Sequence, residues 1–190
     1  MFKYLAVLDF EATCWKNRNE HEIIEFPTVI IDIENKMIID RFQVFVKPVK
    51  EPILSPFCTE LTGIQQSWVD QGATLQDALE QHAKFMSKYE NSIIVTCGDW
   101  DLNVMLPKDL ACKNISPGNA SFYKTWINIK KVFAERYSLR RRQMGMVGML
   151  HILKMEVEGR HHSGIDDCTN IARIAVKLLE AGWDPVPTTN

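Results

Sequence analysis

The sequence feature that most constrains the fold is an apolar run that ends in two acids. Residues 4–8 read as a buried strand, and Asp9-Phe10-Glu11 follow directly. Two-residue spacing places the Asp9 and Glu11 side chains on one face of a strand. Two such carboxylates repel each other and are costly to bury unless a cation balances them. Oxygen ligands of this kind suit Mg²⁺ and Mn²⁺, and the alternative is that the strand end simply emerges into solvent.

Beyond this strand, the hydrophobic pattern changes from a hairpin to an alternation of strands and helices. Residues 23–33 and 37–46 are rich in Ile, Val and Phe, and the polar turn between them predicts an antiparallel hairpin. Prolines at 48, 52 and 56 then indicate an irregular connection. Later periodicity predicts strands over 92–97 and 126–129, and helices over 75–89, 130–137, 143–153 and 166–181. This order predicts an α/β fold with a mixed sheet flanked by helices.

The composition is that of a soluble globular protein. The chain has 190 residues, 46% of them hydrophobic and 24% charged, which argues against disordered, collagen-like and coiled-coil classes. We expect one domain over 1–184 and a frayed tail over 185–190. We expect no membrane partner, because no apolar run approaches the roughly 18 residues of a membrane span. Five cysteines, never two residues apart, disfavour a disulfide framework and predict a reducing compartment, cytoplasmic or nuclear.

The net charge of −2 conceals a basic segment. Residues 121–162 carry nine Lys and Arg against three acids, so the segment has a net charge of +6. A basic segment beside an acidic remainder is typical of a protein that holds a polyanion in one place and metal cations in another. A solvated basic face is an equal alternative. Within the segment, Arg140, Arg141 and Arg142 are candidate phosphate contacts.

A second acidic segment follows the predicted strand over 92–97. Its sequence is Gly98-Asp99-Trp100-Asp101. If this strand runs parallel to the first, the two carboxyl ends meet at the edge of the sheet where ligands gather. Either Asp99 or Asp101 could then reach a shared metal, or could cap the following helix.

A third polar segment, residues 159–167, opens the last predicted helix. Asp166 and Asp167 fall in its first turn, where the helix dipole favours negative charge. His162 precedes Asp167 by five residues, so a loop histidine can overhang a carboxylate on the helix. The ordinary pKa of a histidine suits a general base near neutral pH, although a loop histidine is more often a plain surface residue. Because His161 lies next to His162, the spacing alone does not decide which of the two is the base.

Together, these segments resemble the DnaQ-like or RNase T-like exonucleases, which carry an Asp-Glu-Asp-Asp set with a catalytic histidine (DEDDh). More closely, the chain resembles the enhanced-RNAi (Eri-type) 3′→5′ exoribonucleases, which include the histone-mRNA 3′ exonuclease branch. This resemblance spans residues 3–180. Its motifs are Asp9-Phe10-Glu11-Ala12-Thr13-Cys14, Leu61-Thr62-Gly63-Ile64, Gly98-Asp99-Trp100-Asp101, Trp126-Ile127-Asn128-Ile129-Lys130 and His162-Ser163-Gly164-Ile165-Asp166-Asp167-Cys168.

The resemblance implies an RNase H-like fold, with helices on both faces of a five-stranded mixed sheet whose second strand is antiparallel. It implies two Mg²⁺ ions, with Mn²⁺ as an alternative, held by Asp9, Glu11, Asp101 and Asp167. Asp101 is preferred to Asp99 because the family's acid follows the tryptophan. Glu11 is also expected to be catalytic, and His162 is expected to be the general base. One departure is His161, where relatives often have proline.

An exonuclease must also hold the end of its substrate. Here the expected substrate is RNA with a free 3′ end, which would release 5′-mononucleotides. Aromatic and apolar side chains can stack on its terminal base, although each of them could equally belong to the core. The candidate substrate contacts are Ala12, Thr13, Phe57, Leu61, Thr62, Gly63, Ile64, Trp100, Asn128 and His162.

Two other functions stay open at this point. A DNA exonuclease of the proofreading type would share the same site, and only the Eri-type motifs argue against it. A non-catalytic RNA-binding protein is the second alternative, although all five expected catalytic side chains are present. The sequence names no protein partner.

Overall fold

A mixed β-sheet forms the centre of the computed structural model, which describes residues 2–16, 21–116, 123–139 and 144–189. Its strands are β1 Tyr4–Leu8, β2 Glu11–Ala12, β3 Ile23–Asp32, β4 Met37–Phe45, β5 Ser92–Thr96 and β6 Trp126–Asn128. Strand β3 pairs antiparallel with β1 on one side and with β4 on the other. On the far side of β1, strands β5 and β6 follow in parallel.

The two-residue strand β2 explains why the sheet has six strands and not the expected five. It pairs with β3 just beyond the end of β1, with Glu11 opposite Glu25. Strand β2 thus continues the line of β1 after an interruption at residues 9 and 10. Among the five longer strands, the second is antiparallel to the first, as the resemblance implies.

Helices cover both faces of the sheet. They are α1 Pro56–Thr62, α2 Gln66–Asp70, α3 Leu75–Met86, α4 Leu106–Cys112, α5 Ile129–Arg136, α6 Met146–Ile152 and α7 Gly164–Glu180. Strand β1 shows the division, because its side chains alternate between faces. Leu5 and Val7 belong to the core under α5, α6 and α7, whereas Ala6 and Leu8 belong to the core under α3 and α4. The predicted α/β fold is confirmed.

The proline-rich connection is more regular than its sequence predicts. It contains α1 and α2, where we expected irregular structure. Pro56 occupies the first turn of α1, where a missing N–H costs nothing, and the Ser55 hydroxyl accepts the N–H of Cys58 at 3.0 Å. Gly63 ends the helix in the left-handed region at φ +80°.

The expectation of a frayed tail is wrong for Thr188 and Thr189. The Thr188 hydroxyl accepts the N–H of Asn128 at 2.7 Å, and the Thr188 N–H donates to the carbonyl of Trp126 at 3.1 Å. Thr189 also bonds to Trp126. These contacts cover the open edge of β6, which would otherwise expose unpaired backbone groups. In the part of the chain that the structure describes, no helix combines the length and the apolar character needed to cross a membrane.

Candidate active site

The carboxyl end of β1 carries the first pair of site acids. Asp9 follows the last residue of the strand, and Glu11 begins β2. Asp167, in the first turn of α7, joins them from the other side. One carboxylate oxygen from each of the three residues lies within 4.8 Å of the other two. Two neighbouring acids and a third more than 150 residues later therefore meet at the sheet edge where the sequence pattern predicts a ligand.

Asp101 lies against the same segment, whereas Asp99 does not. Asp101 is 5% exposed, and its Oδ1 accepts the N–H of Phe10, between Asp9 and Glu11, at 2.9 Å. The carboxylate of Asp99 instead accepts Trp126 Nε1–H at 3.0 Å and pairs with Lys131 Nζ at 3.0 Å. The structure thus places Asp101 at the acid cluster, and Asp99 holds β6 and α5.

Burial raises the pKa of three of the site acids, Asp9, Glu11 and Asp101. Burial, followed by the charges of Asp101 and Asp167, raises the pKa of Asp9 well above its usual range. Burial and the charge of Asp9 raise the pKa of Glu11 to about 10. Burial also raises the pKa of Asp101 to about 6, although the Phe10 N–H opposes this shift. Their pKa values stay raised, so the charges that surround the acids among the described residues do not balance the carboxylates, and the all-oxygen donor set fits a divalent cation.

The histidine loop lies directly over Asp167. The backbone N–H of His162 donates to Asp167 Oδ2 at 3.0 Å, and His161 Nδ1 lies 3.1 and 3.2 Å from the two carboxylate oxygens. His162 has φ +68°, a left-handed conformation that is uncommon outside glycine and that clusters at functional sites. Burial and the neighbouring His161 lower the pKa of His162, which favours the neutral form that a general base needs.

Glu25 is a site residue that the sequence analysis missed. This buried side chain on β3 accepts the N–H groups of Gly164 and Ile165, each at 3.1 Å, and the Nε2–H of Gln43 at 2.8 Å. It therefore satisfies two of the free donors at the start of α7, the helix that carries Asp167. The signal was present, because an acid inside the apolar run 23–33 is as unusual as Asp9 is.

Glycine at position 164 permits this approach of α7 to the sheet. A Cβ there would lie 2.9 Å from Pro27 Cγ, 3.1 Å from the Asp9 carbonyl and 3.1 Å from Glu25 Cδ.

A second site residue that the sequence pattern did not indicate is Lys130, whose charge lowers the pKa of both Asp9 and Asp101. Lys130 is therefore a cation of the chain itself close to the acids.

The expected substrate contacts divide into buried and accessible groups. The buried candidates, each at most 3% exposed, are Thr13, Thr62, Ile64 and Asn128. Two of them make hydrogen bonds within the protein: the Thr13 hydroxyl accepts the N–H of Glu22 at 2.9 Å, and Asn128 Oδ1 caps α5. The accessible candidates are Ala12, Phe57, Leu61, Gly63, Trp100 and His162.

Trp100 and Arg160 connect these accessible candidates to the surrounding structure. Trp100 is 42% exposed, and its ring contacts the His21 ring edge-on at 6.0 Å between centroids. The Arg160 guanidinium donates to the carbonyls of Glu60 and Leu61, so it links the histidine loop to α1. The proposed phosphate contacts Arg140, Arg141 and Arg142 lie outside the described residues.

Comparisons with known proteins agree with this geometry. A protein-family model described as "Exonuclease" (RNase_T) matches residues 6–175. ERI1 exoribonuclease 3 of Homo sapiens is 43% identical over 189 residues, covering 96% of this chain and 55% of that protein. The 3′-5′ exoribonuclease 1 of Rattus norvegicus is 39% identical with the same coverage. The chain thus spans about half the length of these curated relatives.

Solved structures give the same result. The nuclease domain of 3′hExo, described as a DEDDh family member bound to rAMP, is 36% identical, with a TM-score of 0.93 over 100% of this chain and 98% of that one. Exonuclease X in complex with 5′ overhanging duplex DNA is 20% identical with a TM-score of 0.65, which supports the fold alone. The predicted resemblance to DEDDh exonucleases of the Eri type is confirmed.

Proposed function

The chain belongs to the exonuclease family, and from this premise we propose that it removes 5′-mononucleotides from the free 3′ ends of RNA. The observation that carries the proposal is the convergence of Asp9, Glu11 and Asp167, with His162 beside them. The names of the similar proteins support RNA as the substrate class. They include exoribonucleases and a 3′-exonuclease described as recognising the 3′ end of a histone mRNA stem-loop.

The acid cluster would hold two divalent cations. Asp9, Glu11 and Asp167 supply the converging oxygens, and Asp101 supplies a further carboxylate beside Phe10. Mg²⁺ suits this all-oxygen set best, with Mn²⁺ as the alternative, because both accept carboxylates and water. When bound, such a pair of ions stabilises the charge that develops on a phosphodiester during hydrolysis.

The histidine loop would supply the base. An imidazole nitrogen of His162 takes the proton of the attacking water, and the lowered pKa of this side chain keeps the nitrogen free at neutral pH. The hydrogen bond from the His162 backbone to Asp167 fixes the loop relative to the metal-binding acids. Glu25 fixes the helix below the loop, so base and acids keep one arrangement.

The accessible side chains around the cluster would receive the 3′-terminal nucleotide. Phe57, Leu61 and Trp100 offer apolar or aromatic surface at which a base can stack, worth about 1–3 kcal/mol for each stacked base. Arg160 holds the Leu61 end of this surface next to the histidine loop. Arg160 therefore couples binding of the nucleotide to the position of the general base, His162.

The test compares the degradation of two separate single strands of the same sequence, one RNA and one DNA, each labelled at the 5′ end. With Mg²⁺, we expect the RNA to shorten stepwise from its 3′ end and faster than the DNA, because contacts to the 2′-hydroxyl distinguish RNA from DNA. With a chelator, both strands should stay intact. Faster loss of DNA would support a proofreading-type enzyme, and no metal-dependent shortening of either strand would support a non-catalytic RNA-binding protein.

A further inference from the structure

A second group of metal-binding side chains lies next to the acid cluster. Ligand atoms of His161, His162 and Asp167 all lie within 4.8 Å of one another. The two imidazole rings are stacked, with centroids 3.9 Å apart. The backbone of His162 lies in the left-handed region, at φ +68°. This group shares Asp167 with the acid cluster but differs in chemistry, because two of its three ligands are nitrogen.

The donor chemistry separates the two groups. Carboxylates and water suit Mg²⁺, whereas imidazole nitrogens suit Zn²⁺ and other late transition metals. Zn²⁺ is held in tetrahedral sites at roughly 2.0–2.2 Å from nitrogen and oxygen ligands, so two ligands of one ion lie about 3.3 Å apart. His161 Nδ1 already lies 3.1 and 3.2 Å from the two Asp167 oxygens. The His161 side chain is also 45% exposed, which gives an ion access from solvent.

We propose that His161, His162 and Asp167 form a binding site for Zn²⁺, and that Zn²⁺ bound there inhibits the enzyme. Two nitrogens and one carboxylate oxygen provide three ligands, and water completes the tetrahedron. The inhibition, unlike the binding, rests on the proposed nuclease function. Zn²⁺ at this site occupies an oxygen of Asp167, which the Mg²⁺ cluster needs, and a nitrogen of His162, which the attacking water needs.

Calorimetric titration of the metal-free protein with Zn²⁺ tests the binding directly. His161→Asn removes one imidazole, and the matched control His151→Asn removes the exposed imidazole of α6. Because loss of even an outer partner of a metal ligand costs about 10–100-fold in affinity, we expect His161→Asn to weaken the tightest Zn²⁺ site at least about tenfold. His151→Asn should bind as the wild type does. Equal Zn²⁺ affinity in the wild type and in His161→Asn would overturn the proposal.

An activity measurement separates this inference from the proposed function. At fixed Mg²⁺, Zn²⁺ should inhibit RNA degradation by the wild type and by His151→Asn at the same concentration, and His161→Asn should require at least about ten times more. Identical inhibition of all three proteins would overturn the inhibitory role. A chain without Mg²⁺-dependent nuclease activity would overturn the proposed function, and the calorimetric result would still decide whether the Zn²⁺ site exists.

Discussion

Replacing Glu25 by glutamine tests how the acid cluster is held in place. The Glu25 carboxylate accepts the backbone N–H groups of Gly164 and Ile165, the first two residues of α7. The glutamine retains the shape and one acceptor oxygen, so it loses one charge-assisted hydrogen bond of about 1.5–3 kcal/mol. Burial raises the pKa of Glu25, so the charged form is itself costly, and removal of the charge offsets part of the loss. We expect unfolding free energy to fall by about 1–2 kcal/mol.

The effect on catalysis should be larger than this stability change suggests. Glu25 positions the helix that carries Asp167, and outer partners of metal ligands typically contribute about 10–100-fold to affinity or activity. We therefore expect Glu25→Gln to lower kcat by about 10–100-fold and to raise the Mg²⁺ concentration needed for half-maximal rate. KM for RNA should change little, because the Glu25 side chain is buried and so does not itself contact the RNA.

A matched variant at Glu22 separates positioning from general stability. Glu22 is also buried, and its carboxylate accepts the N–H groups of Val49, Lys50 and Glu51 at 2.8–3.1 Å. Despite burial, these backbone N–H groups and Lys113 Nζ, 3.4 Å away, hold the pKa of Glu22 below its usual value. Glu22→Gln should therefore lower the unfolding free energy at least as much as Glu25→Gln does and leave kcat unchanged. Steady-state kinetics over a range of Mg²⁺ and denaturant unfolding compare the two variants. A Glu25→Gln protein with wild-type kcat and wild-type Mg²⁺ dependence would show that Glu25 does not position Asp167.

Three further predictions concern the base, the core and the basic segment. His162→Ala should lower the rate of RNA degradation at least about 100-fold, and near-normal turnover would remove His162 from the role of base. Burial lowers the pKa of His82 to about 3, below its unfolded value of about 6.5, so the folded state binds a proton less readily. The stability that neutral His82 contributes is complete above about pH 6.5 and falls by about 1.4 kcal/mol for each unit that the pH drops below it. Between pH 7 and pH 5, the unfolding free energy of the wild type should therefore fall by about 2 kcal/mol more than that of His82→Gln. Equal losses in denaturant titrations would contradict this. Joint replacement of Arg140, Arg141 and Arg142 by glutamine should flatten the salt dependence of RNA binding by about 0.7 in slope per lost phosphate contact, and an unchanged slope would indicate a solvated face.

Strands β1, β3 and β5 were predictable because burial on both faces leaves a strong sequence signal. Residues 4–8 are apolar throughout, and β1 spans Tyr4–Leu8. The strand predicted over 92–97 ends one residue earlier, at Thr96. The prolines at 52 and 56 concealed α1, because proline breaks a helix in its interior but suits its first turn. Periodicity alone does not distinguish these two positions.

The candidate site was predictable only for residues whose chemistry is unusual where they stand. Asp9 and Glu11 are acids at the end of an apolar strand, and together with the segments around Asp101 and Asp167 this unusual position predicted a site. Glu25 carried the same signal, but its partners Gly164 and Ile165 are about 140 positions away, and only the packing of α7 on β3 reveals them. The tail contact of Thr188 with Asn128 is equally long-range. Contacts of this kind depend on tertiary packing, to which local patterns are blind.

The proposed function requires Asp9 and Glu11 to meet Asp167 and to bind the metal ions that drive RNA hydrolysis. The most direct measurement is a Mg²⁺ titration of the shortening of 5′-labelled RNA by the wild type and by Asp167→Asn. The wild type should require Mg²⁺ and shorten the RNA from its 3′ end. Asp167→Asn should remain folded and stay nearly inactive at every Mg²⁺ concentration. Equal Mg²⁺-dependent rates in the two proteins would contradict the account.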